Sequence, residues 1–151
     1  MAVTASKFNM FSFFKLPAAW WCGVRLKTVN KNMAIVTVRH RWINQNPFNS
    51  MFWAVQGMAA ELSTGAMIID QIEATGKKIS MLVANNKANF SKKATGKITF
   101  TCEDGYLIKE ALDKSIDTGE GQTIRMKSVG VNENGVVVST FHFEWTVRLK
   151  K

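Results

Sequence analysis

Proline is scarce, with two in 151 residues, and no low-complexity segment or internal repeat is visible. Cysteine is equally rare. Cys22 and Cys102 lie far apart and have no metal-ligand spacing, which excludes a zinc ribbon or a disulfide framework. They read as two reduced thiols of a cytosolic protein. No apolar run approaches the roughly 18 residues that would span a bilayer. The opening stretch FNMFSFFKLPAAWWCG is apolar, but Lys15 interrupts it and Pro17 follows. It has neither a basic segment ahead of it nor a clear cleavage site, so it does not read as a signal peptide. There is no Ser-His-Asp pattern, nucleotide-binding loop or metal-site spacing. His40 and His142 fall on strands with no Cys, Asp or second His at ligand distance, and read as structural or exposed. These absences leave a soluble, cytoplasmic protein, with no metal and no membrane partner expected.

What the chain has is enough length for one domain, 1–151, and for a real core. A chain of this size buries about 68–70% of the surface its unfolded form exposes. Phe and Met are plentiful. Twenty Lys and Arg against eleven Asp and Glu give a net charge of +9. That favours an anionic partner without naming its class. The charge is uneven. Lys77, Lys78, Lys87, Lys92, Lys93 and Lys97 fall in one segment without an acid, and six acids follow. This segment reads either as a solvated, aggregation-resistant edge or as a groove for phosphates. Nucleic acid is not expected, because the aromatics read as buried and no recognition motif is present.

Periodicity supplies the elements. Ser6 is placed to cap a short helix that Pro17 ends, so 1–17 reads as an N-terminal helical arm. Strands are expected over 24–29 and 33–42, joined by an Asn30-Lys31-Asn32 turn. Ala34, Val36, Val38 and Trp42 would share one face of the second. A helix follows over roughly 50–74, with Asn49 or Ser50 as its N-cap and Gly76 as its stop. Further strands are expected over 79–87 (reaching towards Phe90), 97–103, 123–131 and 136–149. A surface helix is expected over 106–115 and a hairpin turn at 132–135. The last strand alternates: Val137, Phe141, Phe143, Trp145, Val147 and Leu149 face one way, Thr140, His142, Glu144, Thr146 and Arg148 the other. One wet and one buried face indicate an antiparallel sheet. The architecture is therefore α+β, with an antiparallel sheet around one long central helix.

That helix is apolar nearly all round, so it is a buried one. It nevertheless carries a carboxylate, Glu61. Positions three and four apart share a face, which puts Ala54, Gly57, Glu61, Thr64, Gly65 and Ile68 on one strip. Small residues there allow a slender ligand or another element to approach closely. Either a ligand or the sheet or a partner helix fits that strip. Glu61 is either paired with Arg39, Arg41 or Arg125, or unpaired with a raised pKa suited to a base. Thr64 either holds a water or bonds its own backbone.

RWINQNPFNSMFWAVQGMAAELSTG and KANFSKKATGKITFTCEDG together resemble the hotdog-fold thioesterase superfamily, in particular a bacterial branch of unassigned thioesterase-like proteins. The likeness covers residues 17–149. It implies a hotdog fold that works as a dimer or dimer of dimers. It implies an acyl-CoA or acyl-carrier-protein thioester as partner, with no cofactor beyond the coenzyme A of the substrate. The family pattern of Asn, Gly, then His-Gly-Gly, then an acid falls on Asn46, Asn49, Phe52-Trp53-Ala54 and Glu61. The resemblance therefore implies Glu61 as base or nucleophile, Asn46 as an orienting group, and the Trp53 N–H as donor to the thioester oxygen. Thr64 joins these as a candidate. Phe52, Ala54 and Gly57 would line the substrate site, with Lys87, Lys92 and Lys93 for the coenzyme A phosphates. Two functions follow: hydrolysis of an acyl thioester, or binding of acyl-CoA or a fatty-acyl chain without chemistry.

Overall fold

The computed structural model describes residues 3–151. The first two residues of the expected arm lie outside the described residues. Six strands form one antiparallel sheet: β1 (Arg25–Val29), β2 (Ala34–Arg39), β3 (Ile79–Phe90), β4 (Lys97–Cys102), β5 (Gln122–Val131) and β6 (Val137–Leu149). Their order across the sheet is β1-β2-β4-β5-β6-β3. Helix α3 (Trp53–Thr75) lies in its curve. Every residue from Leu62 to Ile68 is buried, so its middle turns are enclosed on all sides. Val36, Val38, Ile98, Phe100, Phe141, Trp145 and Val147 supply the sheet side of the core. A shorter helix, α4 (Ile108–Thr118), packs against β5 and β6. It buries Ile108, Ala111, Leu112 and Ser115, the stripe of a one-faced helix.

Both hairpins have the turns the sequence indicates. The Asn30 carboxamide accepts the Asn32 and Met33 N–H groups at 2.9 Å each. Asn132 does the same for Asn134 and Val136 at 3.0 Å, and Gly135 takes φ 74°. Glycine closes such a turn without steric cost. Gly76 caps α3 in the left-handed conformation, as expected.

Several boundaries differ from the sequence reading. The arm is two helices, α1 (Ala5–Lys15) and α2 (Pro17–Trp21). Thr4, not Ser6, caps α1: its hydroxyl accepts the Lys7 N–H at 3.3 Å. Pro17 opens α2 instead of only ending α1, because a first helical residue needs no donor. Strand β2 stops at Arg39, and Trp42 lies in a 3-10 turn (Trp42–Asn44), 83% exposed. The central helix starts at Trp53, three residues late. The Asn46 carboxamide oxygen takes the Phe48 and Ser50 N–H groups at 2.9 and 3.3 Å, and its amide donates to the Ser50 hydroxyl at 2.9 Å. That turn engages Ser50, so it caps nothing. Asn49 sits at the tip with φ 58°, a conformation Asn tolerates.

Candidate active site

The Asn46–Ser50 turn delivers the chain to the start of α3. Phe52 donates its N–H to the Asn44 carbonyl at 2.8 Å and remains extended at ψ 134°. The helix then begins with the N–H groups of Trp53 and Ala54 meeting no acceptor among the described residues. These are the unpaired donors of a helix start, and they favour negative charge.

Two cavities flank that start, and Trp53 borders both. One, about 310 Å³, is walled by Trp53, Ala54, Gly57, Met58 and Glu61 from α3, Val83 and Asn86 from β3, and Phe141 and Phe143 from β6. The other, about 530 Å³, is lined by Asn46, Phe52, Gln56, Phe90, Lys92 and Lys93, among others. Phe90 of the second cavity meets Phe141 of the first edge-on, with centroids 5.6 Å apart.

Glu61 is half-buried in the smaller cavity. Its carboxylate has no hydrogen-bond or ion-pair partner among the described residues. None of the three arginines expected as partners pairs with it: Arg39 pairs with Glu133 at 3.5 Å, Arg125 with Glu144 at 3.0 Å, and Arg41 forms no ion pair among the described residues. Burial without compensation pushes the Glu61 carboxyl above the ordinary glutamate range.

The helical strip divides at this point. Its first half, Ala54, Gly57 and Glu61, faces the cavity. Its second half packs on the sheet. Thr64 is fully buried, accepts the Trp145 indole N–H at 2.9 Å and donates to the Glu61 carbonyl at 2.8 Å. Its hydroxyl is therefore occupied and does not reach the cavity. A Cβ on Gly65 would come within 3.2 Å of the Trp145 ring, so the helix approaches the sheet closely there.

The remaining expected residues also separate. Phe52 lines the larger cavity and Trp53 both, their rings 6.0 Å apart and both exposed. Asn46 faces the larger cavity, not Glu61, and its side chain builds the turn described above. Lys92 and Lys93 lie on the same cavity, with Lys93 donating to the Phe48 carbonyl at 3.1 Å. Lys87 does not join them. It pairs in register with His142, whereas its neighbour Asn86 pairs with Phe143 of the cavity wall. Successive residues of a strand point to opposite faces, so Lys87 stands on the outer face of the sheet. Two polar residues of the site escaped the sequence reading. Asn86 contributes to the Glu61 wall. Gln56 is buried beside the larger cavity, and its side-chain oxygen meets no donor. Gln56 was visible as the other long polar side chain in an apolar run; Asn86 carried no local signal.

A six-stranded antiparallel sheet packed around one long helix defines a hotdog-fold protein. Solved structures with this fold superpose closely. A Pseudomonas aeruginosa protein of unknown function, described as a probable thioesterase, is 17% identical with a TM-score of 0.86, covering 99% of each chain. A protein of unknown function from Chlorobaculum tepidum is 15% identical with a TM-score of 0.84, covering 97% of this chain and 94% of its own. A thioesterase from Haemophilus influenzae is 14% identical with a TM-score of 0.75, covering 99% of this chain and 93% of its own. No curated protein matches the chain in sequence. The chain belongs to a family known as a domain of unknown function, DUF4442, whose model matches residues 4–147.

Proposed function

We propose that the chain is a thioesterase-like hydrolase that cleaves an acyl thioester of coenzyme A or acyl-carrier protein. The observation that carries this is the unpaired, half-buried Glu61 in a cavity beside the free N–H groups of the α3 start. The acyl carbonyl would enter the Glu61 cavity. The pantetheine would run past Trp53 into the larger cavity, towards Lys92 and Lys93 for the phosphates. Glu61 takes a proton from water, and the hydroxide adds to the carbonyl carbon. The oxygen becomes an oxyanion and is held by the Trp53 N–H, a backbone donor that works whatever its side chain. The tetrahedral centre collapses, the C–S bond breaks, and the thiolate takes the proton back from Glu61. Asn46 acts by holding the turn that aims these amides. Asn49, where the family pattern has Gly, takes a φ of 58°, a left-handed conformation that glycine adopts freely.

A second reading has an observation of its own. Trp53 and Phe52 stand where the family pattern places Gly and His, and both side chains border the substrate path. They suit a pocket that holds an acyl chain or acyl-CoA without turnover. A panel of short, long and aromatic acyl-CoAs, assayed beside Glu61→Gln, separates the two. Hydrolysis by the native protein that falls by at least about a hundredfold in the variant supports Glu61 as base. Calorimetric binding with no turnover across the panel replaces it with the binding reading. Neither binding nor turnover removes both.

The site also lies beside an open edge. Strand β3 is long, and its outer edge meets no strand among the described residues. Such an edge templates pairing with another strand. We propose a homodimer, or a dimer of dimers, built on it, which would bring a second chain to the Glu61 cavity wall.

A further inference from the structure

The N-terminal arm is inside out. A surface helix ordinarily turns its apolar residues inward and its polar ones to water. Helix α1 buries the Phe8 ring in the core but does the reverse over much of the rest of its circumference. Asn9 faces the body, where its amide donates to the Leu26 carbonyl and its oxygen accepts the Leu26 N–H, both at 2.9 Å. Ser12 is buried with its hydroxyl unbonded. Outward point Met10, Phe13 and Phe14, the last 70% exposed. The apolar surface continues beyond α1. Phe13 packs edge-on against both Phe14 and Trp20, at 4.9 and 5.4 Å. Trp21 is 65% exposed, and the 3-10 turn with Trp42 is tied to the end of α2 by the Asn44 amide on the Cys22 carbonyl at 2.9 Å.

The arm and the Trp42 turn themselves carry charge of one sign. Seven Lys and Arg and no Asp or Glu precede Glu61 in the chain. Lys15 ends α1. The Arg25 guanidinium lies over the Trp20 ring, 3.4 Å from its centroid, and is close enough to Arg41 to feel its like charge. Exposed Phe and Trp rimmed by Lys and Arg is the composition of a surface that sits in the interfacial layer of a membrane. No helix among the described residues is long and apolar enough to cross a bilayer. Peripheral contact needs none.

We propose that α1, α2 and the Trp42 turn dock this protein onto an anionic phospholipid surface, with Phe14, Trp21 and Trp42 entering the headgroup layer and Lys15, Arg25 and Arg41 meeting the phosphates. A second copy of the chain fits less well, because a two-fold contact through these segments would bring Lys15, Arg25 and Arg41 towards their own copies. Single-stranded nucleic acid is disfavoured because its backbone follows a groove; here the aromatics stand out from helix surfaces.

The test is co-sedimentation with vesicles of phosphatidylcholine alone and of equal parts phosphatidylcholine and phosphatidylglycerol. The native protein pellets with the mixed vesicles and stays in solution with the neutral ones. Phe14→Ser combined with Trp21→Ser weakens the partition by more than about tenfold, with circular dichroism and acyl-CoA turnover or binding unchanged. Lys15→Gln weakens it about fivefold. Four results overturn the proposal. The native protein stays in solution with mixed vesicles. The double variant binds as well as native, which leaves only diffuse charge. The lipid-free protein is an oligomer that the double variant dissociates, which makes the patch a subunit interface. A single-stranded oligonucleotide binds through Phe14 and Trp21 while vesicles do not.

Discussion

A buried, unpaired Glu61 works against stability at neutral pH. Its folded-state pKa is raised by burial, so the folded protein keeps this proton over a pH range where the unfolded chain has released it. The stability contributed by neutral Glu61 is full below the ordinary glutamate value of about 4.3 and is lost as pH rises to the raised value. At neutral pH the ionised group opposes folding. Glu61→Gln should therefore raise the melting temperature at pH 7 and leave it nearly unchanged near the ordinary glutamate pKa. If the chain is a hydrolase, the same raised pKa sets the acid limb of kcat/KM above the usual carboxylate range. A melting temperature lowered by Glu61→Gln at pH 7 would contradict an unpaired carboxylate. Thr64 behaves differently. Thr64→Val removes the acceptor of the buried Trp145 N–H, and should destabilise by about 1–3 kcal/mol in denaturant titration. It should not shift the pH profile, because its hydroxyl does not face the cavity.

Among the elements, the sheet holds the site by close packing against its own neighbours. A Cβ on Gly130 of β5 would sit 2.5 Å from the Phe100 ring of β4, which is fully buried. Phe100 in turn packs on Phe141, a wall of the Glu61 cavity, at 6.1 Å. Gly130→Ala should cost about 1–3 kcal/mol as overpacking, and shift the Phe141 ring signals in an aromatic NMR spectrum. An unchanged spectrum and melting temperature would show that the core yields there without cost. The alternation of β6 was legible because one of its faces is buried and the other is wet, as period-two patterning requires. The start of α3 was not. Asn49 and Ser50 have the chemistry of caps, but the Asn46 turn ahead of them engages Ser50 and places Asn49 at its tip. Competing local bonds of equal strength decide such boundaries, and a linear pattern does not rank them.

In the molecule as a whole, β3 is the exposed margin beside the site. Leu82 and Phe90 stand 66% and 49% exposed on it, and Phe90 shares the larger cavity with Trp53, itself 57% exposed. A long edge strand with apolar side chains invites a partner strand. Sedimentation at micromolar concentration should give a dimer or a dimer of dimers, and a monomer at that concentration would sink the proposed assembly. The lysine segment shows why assembly and site could not be read along the chain. Lys92 and Lys93 sit on the larger cavity because they follow the end of β3. Lys87 belongs to the same run of charge, yet strand alternation carries it to the other face.

The sequence by itself determined the hairpins, the buried central helix, the alternating last strand and the one carboxylate on an apolar helix face. Each is a local matter of turn chemistry or of period, written in residues a few positions apart. Only the tertiary structure decided what surrounds that carboxylate. Val83, Asn86, Phe141 and Phe143 reach Glu61 from strands far along the chain, and Trp145 claims Thr64 across 81 residues. It also decided that α1 turns Asn9 and Ser12 inward with Phe8, and Phe13 and Phe14 to the outside. The apolar positions of α1 fit a helix facing either way; the Asn9 bonds to Leu26 choose between them.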